Sequence, residues 1–108
     1  MRNKVESYMG FAAKSRNLIT GYNTCIMMMG KRKVKLLILS EDLAENTIKK
    51  MVSECNKNKV VYRIFGNSDD LSHITGKAGK GIFGITDHHF AEIICKEIDL
   101  IQSEREVF

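Results

Sequence analysis

The chain has 108 residues, of which 44% are hydrophobic, no proline, and a formal net charge of +4 at pH 7. That length allows one domain with its own core, and the composition excludes collagen-like, proline-rich and low-complexity proteins. No run approaches the roughly 18 apolar residues that cross a bilayer, and the charged N-terminus lacks a signal peptide's apolar core, so we expect one cytoplasmic domain over residues 1–108, away from membranes.

Positive charge is concentrated in the first third of the chain. Residues 1–36 hold eight Lys and Arg against one acidic residue, residues 37–81 hold seven against six, and residues 82–108 hold two against six. An electropositive surface attracts polyanions, because neutralising phosphates releases condensed counterions. The same charge also keeps a protein soluble, so this distribution alone leaves both interpretations open.

The first third of the chain predicts two helices. Apolar residues recur at helical spacing from Val5 to Ala13, which predicts a helix over residues 4–14 that ends near Ser15. We interpret residues 17–20 as a short apolar link. A second apolar stretch, closed by Gly30 and a basic cluster, predicts a helix over residues 22–30.

The middle of the chain predicts a strand, a helix and a second strand. The aliphatic run at residues 34–39 is typical of a strand covered on both faces. Apolar residues spaced i, i+3, i+4 and i+7 from Ile48 to Cys55 predict an amphipathic helix that ends at the turn-forming residues 56–58. A strand over residues 60–65 follows.

The last third of the chain predicts a short helix, a loop and a strand. Ser68 is a plausible N-cap for a helix over residues 69–75, because acidic residues occupy its first turn. Residues 76–81 form a glycine-rich basic loop, and residues 82–86 are typical of a strand.

A final helix is predicted to start at the capping residue Asp87. Its apolar stripe consists of Phe90, Ile93, Ile94, Ile98 and Ile101. Strands thus alternate with helices, which predicts an α/β protein, a three-layer α/β/α sandwich around a small mixed sheet of about four strands.

The turn at residues 16–24 is the most informative segment for function. Its glycine immediately precedes the N-terminus of the second helix, where exposed N–H groups favour phosphate. Lys14 and Arg16 are expected to flank this helix end. Asn23 could hydrogen-bond a base edge. The alternative is that Thr20 merely caps the helix and Asn23 is a solvated residue of the first turn.

The loop at residues 76–81 is the second candidate. Its three glycines let a backbone approach another surface closely, and its two lysines add charge. It is not a phosphate-binding P-loop, because it lacks the required spacing and lies between a helix and a strand. An ordinary mobile turn is the alternative interpretation.

The sequence offers little for catalysis. A helix places His88 and His89 on different faces, and no H-E-x-x-H motif or G-x-S-x-G nucleophile elbow is present. Cys25, Cys55 and Cys95 are odd in number, widely spaced and set in apolar patterns, so we interpret them as reduced core thiols. We therefore predict a protein that is not an enzyme and that has no cofactor or metal.

Four segments together carry a family resemblance over about residues 5–100. They are GFAAKSRNLITG at residues 10–21, KLLILSEDLAENT at residues 35–47, residues 71–77 ending in Gly-Lys, and residues 85–87 with Phe90. In these segments the chain resembles the L7Ae/L30e/S12e/Gadd45 ribosomal protein family, most closely its small bacterial YlxQ-like subgroup.

The resemblance implies an α/β/α sandwich that binds kink-turn RNA through the helix after the early glycine and the loop before the last strand. In the family pattern, Asn and Glu follow that glycine and Lys comes one turn later. Gly21 and Asn23 match here, whereas Thr24 and Met27 stand at the Glu and Lys positions. Two charge-assisted hydrogen-bonding groups are therefore missing, while backbone contacts can persist.

We therefore predict a non-enzymatic RNA-binding protein that recognises structured, kink-turn-like RNA, with ribosomal RNA as the expected partner, mainly through phosphate contacts. Asn23 and Thr24 would face bases, and the lysines would hold phosphates. The predicted RNA-binding residues are Lys14, Arg16, Gly21, Asn23, Thr24, Met27, Lys31, Arg32, Lys77, Ala78, Gly79 and Lys80. The alternative is a protein-interaction adaptor on the same fold that binds partners through the methionine-rich second helix.

Overall fold

A computed structural model describes residues 3–78 and 81–105 of the chain. Helices and strands alternate along these residues. Their order is α1 (Lys4–Lys14), β1 (Leu18–Thr20), α2 (Tyr22–Gly30), β2 (Leu36–Leu39), α3 (Glu45–Asn58), β3 (Val61–Ile64), α4 (Ser68–Thr75), β4 (Ile82–Ile85) and α5 (His88–Arg105).

The strands form one mixed sheet in the order β1-β4-β2-β3. β2 and β3 are parallel, and β4 runs antiparallel to both of its neighbours, β1 and β2. Leu36 lies opposite Val61 and Ile85, at the end where β2 begins, whereas Leu39 lies opposite Ile82, at the end where β2 finishes. β1 therefore runs in the same direction as β2.

Each face of the sheet is covered by its own helices. Alternate residues of β2 point to opposite faces, so Leu36 and Ile38 belong to one core while Leu37 and Leu39 belong to the other. The first core includes residues of α1, α4 and α5, and the second includes residues of α2 and α3. The predicted three-layer α/β/α sandwich with four strands is confirmed.

Side-chain caps define where three helices begin. Asn3 accepts from the Glu6 N–H at the start of α1, and Asp87 accepts from the Phe90 N–H at the start of α5, as predicted for Asp87. The predicted cap of α4 is wrong. Asn67, not Ser68, caps this helix, because its extended backbone lets its side-chain oxygen accept from the Asp70 N–H at 2.8 Å.

Three further expectations differ from the structure. Residues 17–20 are not a link, since Leu18–Thr20 pair with β4 as an edge strand. α3 continues through residues 56–58 and ends at Asn58, because the left-handed backbone of Lys59 stops it. Ile93 is 41% exposed, because α5 turns the side of Ala91, Ile94 and Ile98 toward the core.

The cysteines remain thiols in the structure. Cys25 and Cys55 are fully buried in the core between the sheet and α2 and α3, whereas Cys95 is only half-buried on α5. Burial raises the pKa of Cys25 to about 12 and that of Cys55 to about 11, so both stay protonated and unreactive at neutral pH. Over the described residues, the helices are all too short or too polar to cross a membrane.

Candidate nucleic-acid interface

The N-terminus of α2 is an open helix end. Gly21 precedes the helix with φ of 96°, and no side chain among the described residues caps it. The first intrahelical bond runs from the Cys25 N–H to the Gly21 carbonyl at 3.1 Å, which leaves the preceding N–H groups without intrahelical acceptors. Thr20 therefore does not cap the helix, and this end retains donors that suit an anion.

The glycine-rich loop returns to the sheet beside this helix end. The Gly21 N–H donates to the carbonyl of Ile82, the first residue of β4, at 3.0 Å. Ala78 lines the same cleft, of about 1060 Å³, as Gly21, Asn23 and Thr24. The structure thus brings together the two segments that sequence reasoning singled out. Gly79 and Lys80, which belong to the predicted set, lie outside the described residues.

The side chains that α2 presents here are polar in its first turn and apolar one turn later. Asn23 and Thr24 are exposed, and Met27 lies four residues after Asn23 on the same side of the helix with 53% of its surface exposed. Met28 is half-buried and Met29 lies in the core, so α2 does not present a continuous methionine surface.

The cleft also contains carboxylates that sequence reasoning did not place there. Asp42 and Asp69 line it together with hydroxyl groups of Ser40 and Ser68. Asp42 accepts hydrogen bonds from the Ser68 hydroxyl at 2.7 Å and from the Ser68 N–H at 3.0 Å. The cleft is therefore not uniformly positive, and a polyanion is favoured only along α2 and the loop, where Lys77 is exposed.

The hydrogen bonds between Ser68 and the Asp42 carboxylate make the stability of the fold depend on pH. The hydrogen bonds from Ser68 lower the pKa of Asp42 to about 2, below its ordinary value, so the ionised form stabilises the fold. This contribution is complete above the unfolded-state pKa of about 4 and is lost as the pH falls through about 2. We expect Asp42→Asn to lower the urea midpoint at pH 7. The difference in urea midpoint between this variant and the parent protein should shrink as the pH falls from 4 to 2.

A matched control for this measurement is Glu45→Gln. Glu45 pairs at 3.3 Å with Lys49 on the exposed surface of α3, and such pairs contribute little to stability. An Asp42→Asn effect that persists unchanged at pH 2 would contradict the assignment of the stabilisation to the ionised carboxylate.

Four of the predicted basic residues lie elsewhere. β1 carries the chain away from Arg16 over five residues before Gly21, a span of about 16 Å in extended backbone. Arg32 follows the opposite end of α2, a nine-residue helix about 13 Å long. Lys14 and Arg16 therefore do not flank the N-terminus of α2 as expected, and Lys31 and Arg32 join them at the other end of the sheet.

The exposed histidines do not form a metal site in the structure. His88 and His89 lie on the surface at the start of α5, and His88 faces Glu92 at 3.3 Å. Within residues 3–78 and 81–105, no three metal-ligating side chains come together.

Fold and site define a small α/β/α sandwich with a cleft of mixed polar and apolar lining beside a helix end that no described side chain caps. The Ribosomal protein L7Ae/L30e/S12e/Gadd45 family matches residues 3–98. The chain belongs to this family, as its resemblance in sequence predicted.

Individual relatives agree with this assignment. The chain is 30% identical over 91 residues to the RNA-binding protein YlxQ of Bacillus subtilis, covering 84% of this chain and 91% of that protein. It is also 30% identical over 92 residues to the RNA-binding protein YlxQ of Enterococcus faecium, covering 84% of this chain and 87% of the relative.

Two solved structures are similar to the whole fold. A protein of unknown function from Bacillus halodurans is superposed with a TM-score of 0.87 at 30% identity, covering 91% of this chain and 99% of that one. The Giardia lamblia 15.5kD RNA binding protein is superposed with a TM-score of 0.74 at 17% identity, covering 93% and 92% of the two chains. The second likeness concerns the fold alone.

Proposed function

We propose that this protein binds structured, kink-turn-like RNA at the cleft beside the N-terminus of α2. The observation that carries the proposal is the convergence of an uncapped helix end, the exposed Asn23 and Thr24, and Ala78 of the loop on one cleft. The names of its YlxQ relatives, which are RNA-binding proteins, support RNA as the ligand. In this proposal the protein acts in the cytoplasm, on ribosomal RNA, and catalyses no reaction.

Each group at the cleft has a role in this proposal. The free N–H groups at the start of α2 and the ammonium groups of Lys77 and Lys80 bind phosphate oxygens. The Asn23 amide offers both donors and an acceptor to a base edge, and the Thr24 hydroxyl offers one donor. Gly79 and Ala78 let the loop backbone approach the sugar-phosphate chain.

Phosphate contacts dominate the binding in this proposal. Thr24 and Met27 are uncharged, so they add no charge-assisted hydrogen bond to a base. Asp42, ionised at neutral pH, and Asp69 disfavour phosphates on their part of the cleft wall. The RNA backbone therefore follows α2 and the loop, with affinity that falls steeply as salt rises and with modest discrimination between RNA shapes.

A filter-binding titration tests this function. The probes are a kink-turn RNA duplex and a straight duplex of equal length and base composition, each titrated at several salt concentrations. We expect both to bind at low salt and the kinked RNA to bind more tightly. Asn23→Ala is expected to weaken binding of the kinked RNA by about 1 kcal/mol, roughly fivefold in affinity. Binding of the straight duplex should change little, because only a base contact is removed.

The matched control is Asn56→Ala. Asn56 is an exposed asparagine near the end of α3, and it lines a different cleft with Tyr62 and Arg63. The control variant should bind both probes as the parent protein does. Absence of binding to either RNA even at low salt would remove the proposed function.

A protein-interaction adaptor is the second candidate, and one observation bears on it. Met27 is exposed on α2 while its neighbour Met29 is buried. A protein partner that binds the methionines of this helix would therefore contact Met27 first. A pulldown from nuclease-treated lysate separates the two functions, because partners that survive RNA digestion and are lost in Met27→Lys favour the adaptor.

A further inference from the structure

A second basic surface lies at the end of the sheet opposite the cleft. We call it the basic end, and it consists of Lys14, Arg16, residues 31–33, Lys35, Lys57 and Lys59, all exposed. Arg32, Lys35, Lys57 and Lys59 line one cleft of about 510 Å³. No acidic residue lines this cleft within the described parts of the chain.

The sheet topology explains why residues far apart in sequence meet here. Because β2 and β3 are parallel and start in register at Leu36 and Val61, the residues before them, Lys35 and Lys59, enter at one edge. The Lys35 N–H donates to the Ile85 carbonyl at 2.7 Å, and the Thr86 N–H donates to the Asn17 carbonyl at 2.9 Å. The chain after Arg16 therefore joins the same edge, and the four strands span about 14 Å at their usual spacing.

Helix termination places cations at this end in an uncommon way. Among the described residues, the non-glycine residues with positive φ are Arg16 at 64°, Arg32 at 59° and Lys59 at 57°. They lie one or two residues after the last residues of α1, α2 and α3, at positions where glycine is common because it adopts this conformation without strain. α4, which leads into the loop beside the cleft, ends in the left-handed Gly76. At the basic end, three positions with a strained left-handed backbone are thus occupied by Lys or Arg instead of glycine.

Helix dipoles account for only part of this charge. The C-terminus of a helix carries about half a negative charge, so the three helix ends together amount to about 1.5 charges against eight Lys and Arg. Among the described residues, the ion pairs of Lys and Arg with carboxylates are Lys49 with Glu45 and Arg63 with Asp99. Neither of them neutralises a residue of the basic end.

We propose that the basic end is a second phosphate-binding surface, contacted by a different segment of the RNA that occupies the cleft. This proposal rests on RNA as the ligand of the proposed function and adds a separate site to it. The basic residues here offer ammonium and guanidinium groups, and the amide of Asn58, which lines the same cleft, donates to the Glu54 carbonyl at 2.8 Å. This surface therefore holds the sugar-phosphate backbone and does not read sequence.

The left-handed cations allow a test that preserves folding. In the variant Arg16→Gly/Arg32→Gly/Lys59→Gly, glycine fits all three backbone conformations, so relief of strain offsets the loss of favourable interactions with the helix ends. Full-length protein is titrated with the kinked and straight RNA duplexes over a range of salt. We expect the slope of log affinity against log salt to flatten by about 2 to 3 for both probes, and affinity at low salt to fall at least about tenfold.

The control Lys49→Gln/Lys50→Gln/Lys96→Gln removes the same formal charge from the surfaces of α3 and α5, and its salt slope should stay within about one unit of the parent's. An unchanged slope in the glycine variant, with its thermal midpoint preserved, overturns the second surface while leaving the proposed cleft function intact. A flattened slope without any preference for kinked RNA supports the second surface and contradicts the cleft. Absence of RNA binding by the parent protein overturns both.

Discussion

Phe83→Ala is expected to lower the free energy of unfolding by about 3–5 kcal/mol, measured by urea denaturation. Phe83 is fully buried in β4, in the core that the sheet forms with α1, α4 and α5. Removing its ring costs the transfer free energy of the apolar atoms and leaves a cavity that the surrounding helices cannot fully close. Small domains are stable by only about 5–15 kcal/mol, so this substitution removes a large fraction of the total.

Phe11→Ala provides the matched control. Phe11 lies on α1 with 56% of its surface exposed, and its truncation should change stability by no more than about 0.5 kcal/mol. If Phe83→Ala prevents folding, Phe83→Leu, which keeps much of the volume, should fold with a loss of about 1 kcal/mol. A cost for Phe83→Ala that matches that of Phe11→Ala would contradict the central position of this ring.

Gly81→Ala is expected to cost about 2–5 kcal/mol, because it combines backbone strain with overpacking. Gly81 has φ of 86°, a conformation that side chains disfavour, and it is buried where the loop meets β4. A methyl group here would collide with the Ser40 hydroxyl and approach Leu43 at 3.0 Å. The Gly81 carbonyl also accepts from the Ser40 N–H at 2.8 Å, so the backbone cannot shift freely.

Gly76→Ala separates the two contributions. Gly76 has φ of 69°, but a methyl group there would meet no atom within 4 Å, so only the strain of about 1–2 kcal/mol is expected. The difference between the two variants in urea denaturation measures the steric clash at Gly81. Equal costs for both would mean that Ser40 and Leu43 move aside, which would contradict a tightly fixed junction between the loop and the sheet.

The fold could be predicted closely where local signals agreed. α2 begins and ends at the predicted residues, because Gly21 and Gly30 bracket a short continuous apolar stretch. β1 was missed since three residues are too few to show a period, and their pairing with β4 depends on residues more than sixty positions away. Ile93 was misplaced because helical periodicity fixes an apolar side of α5 but not the angle at which that side meets the sheet.

The candidate site was predicted in its parts and not in its arrangement. The turn at Gly21 and the loop before β4 were recognised from glycines, polar residues and lysines, and the structure brings them to one cleft. The carboxylate of Asp42 in that cleft was not foreseen, because Asp42 lies in the turn after β2 and its partner Ser68 begins α4, 26 residues further along the chain. RNA binding by the predicted residues stays a prediction.

The sequence by itself determined the family, the alternation of helices and strands, and the concentration of positive charge in the first third of the chain. Only the tertiary structure decided that six of these eight Lys and Arg side chains gather at the end of the sheet opposite the cleft. Residue order specifies how strands follow one another, whereas the direction of each strand is set by long-range pairing. Because β1 and β2 both run against β4, Arg16 and Lys35 meet at one edge while Gly21 reaches the other.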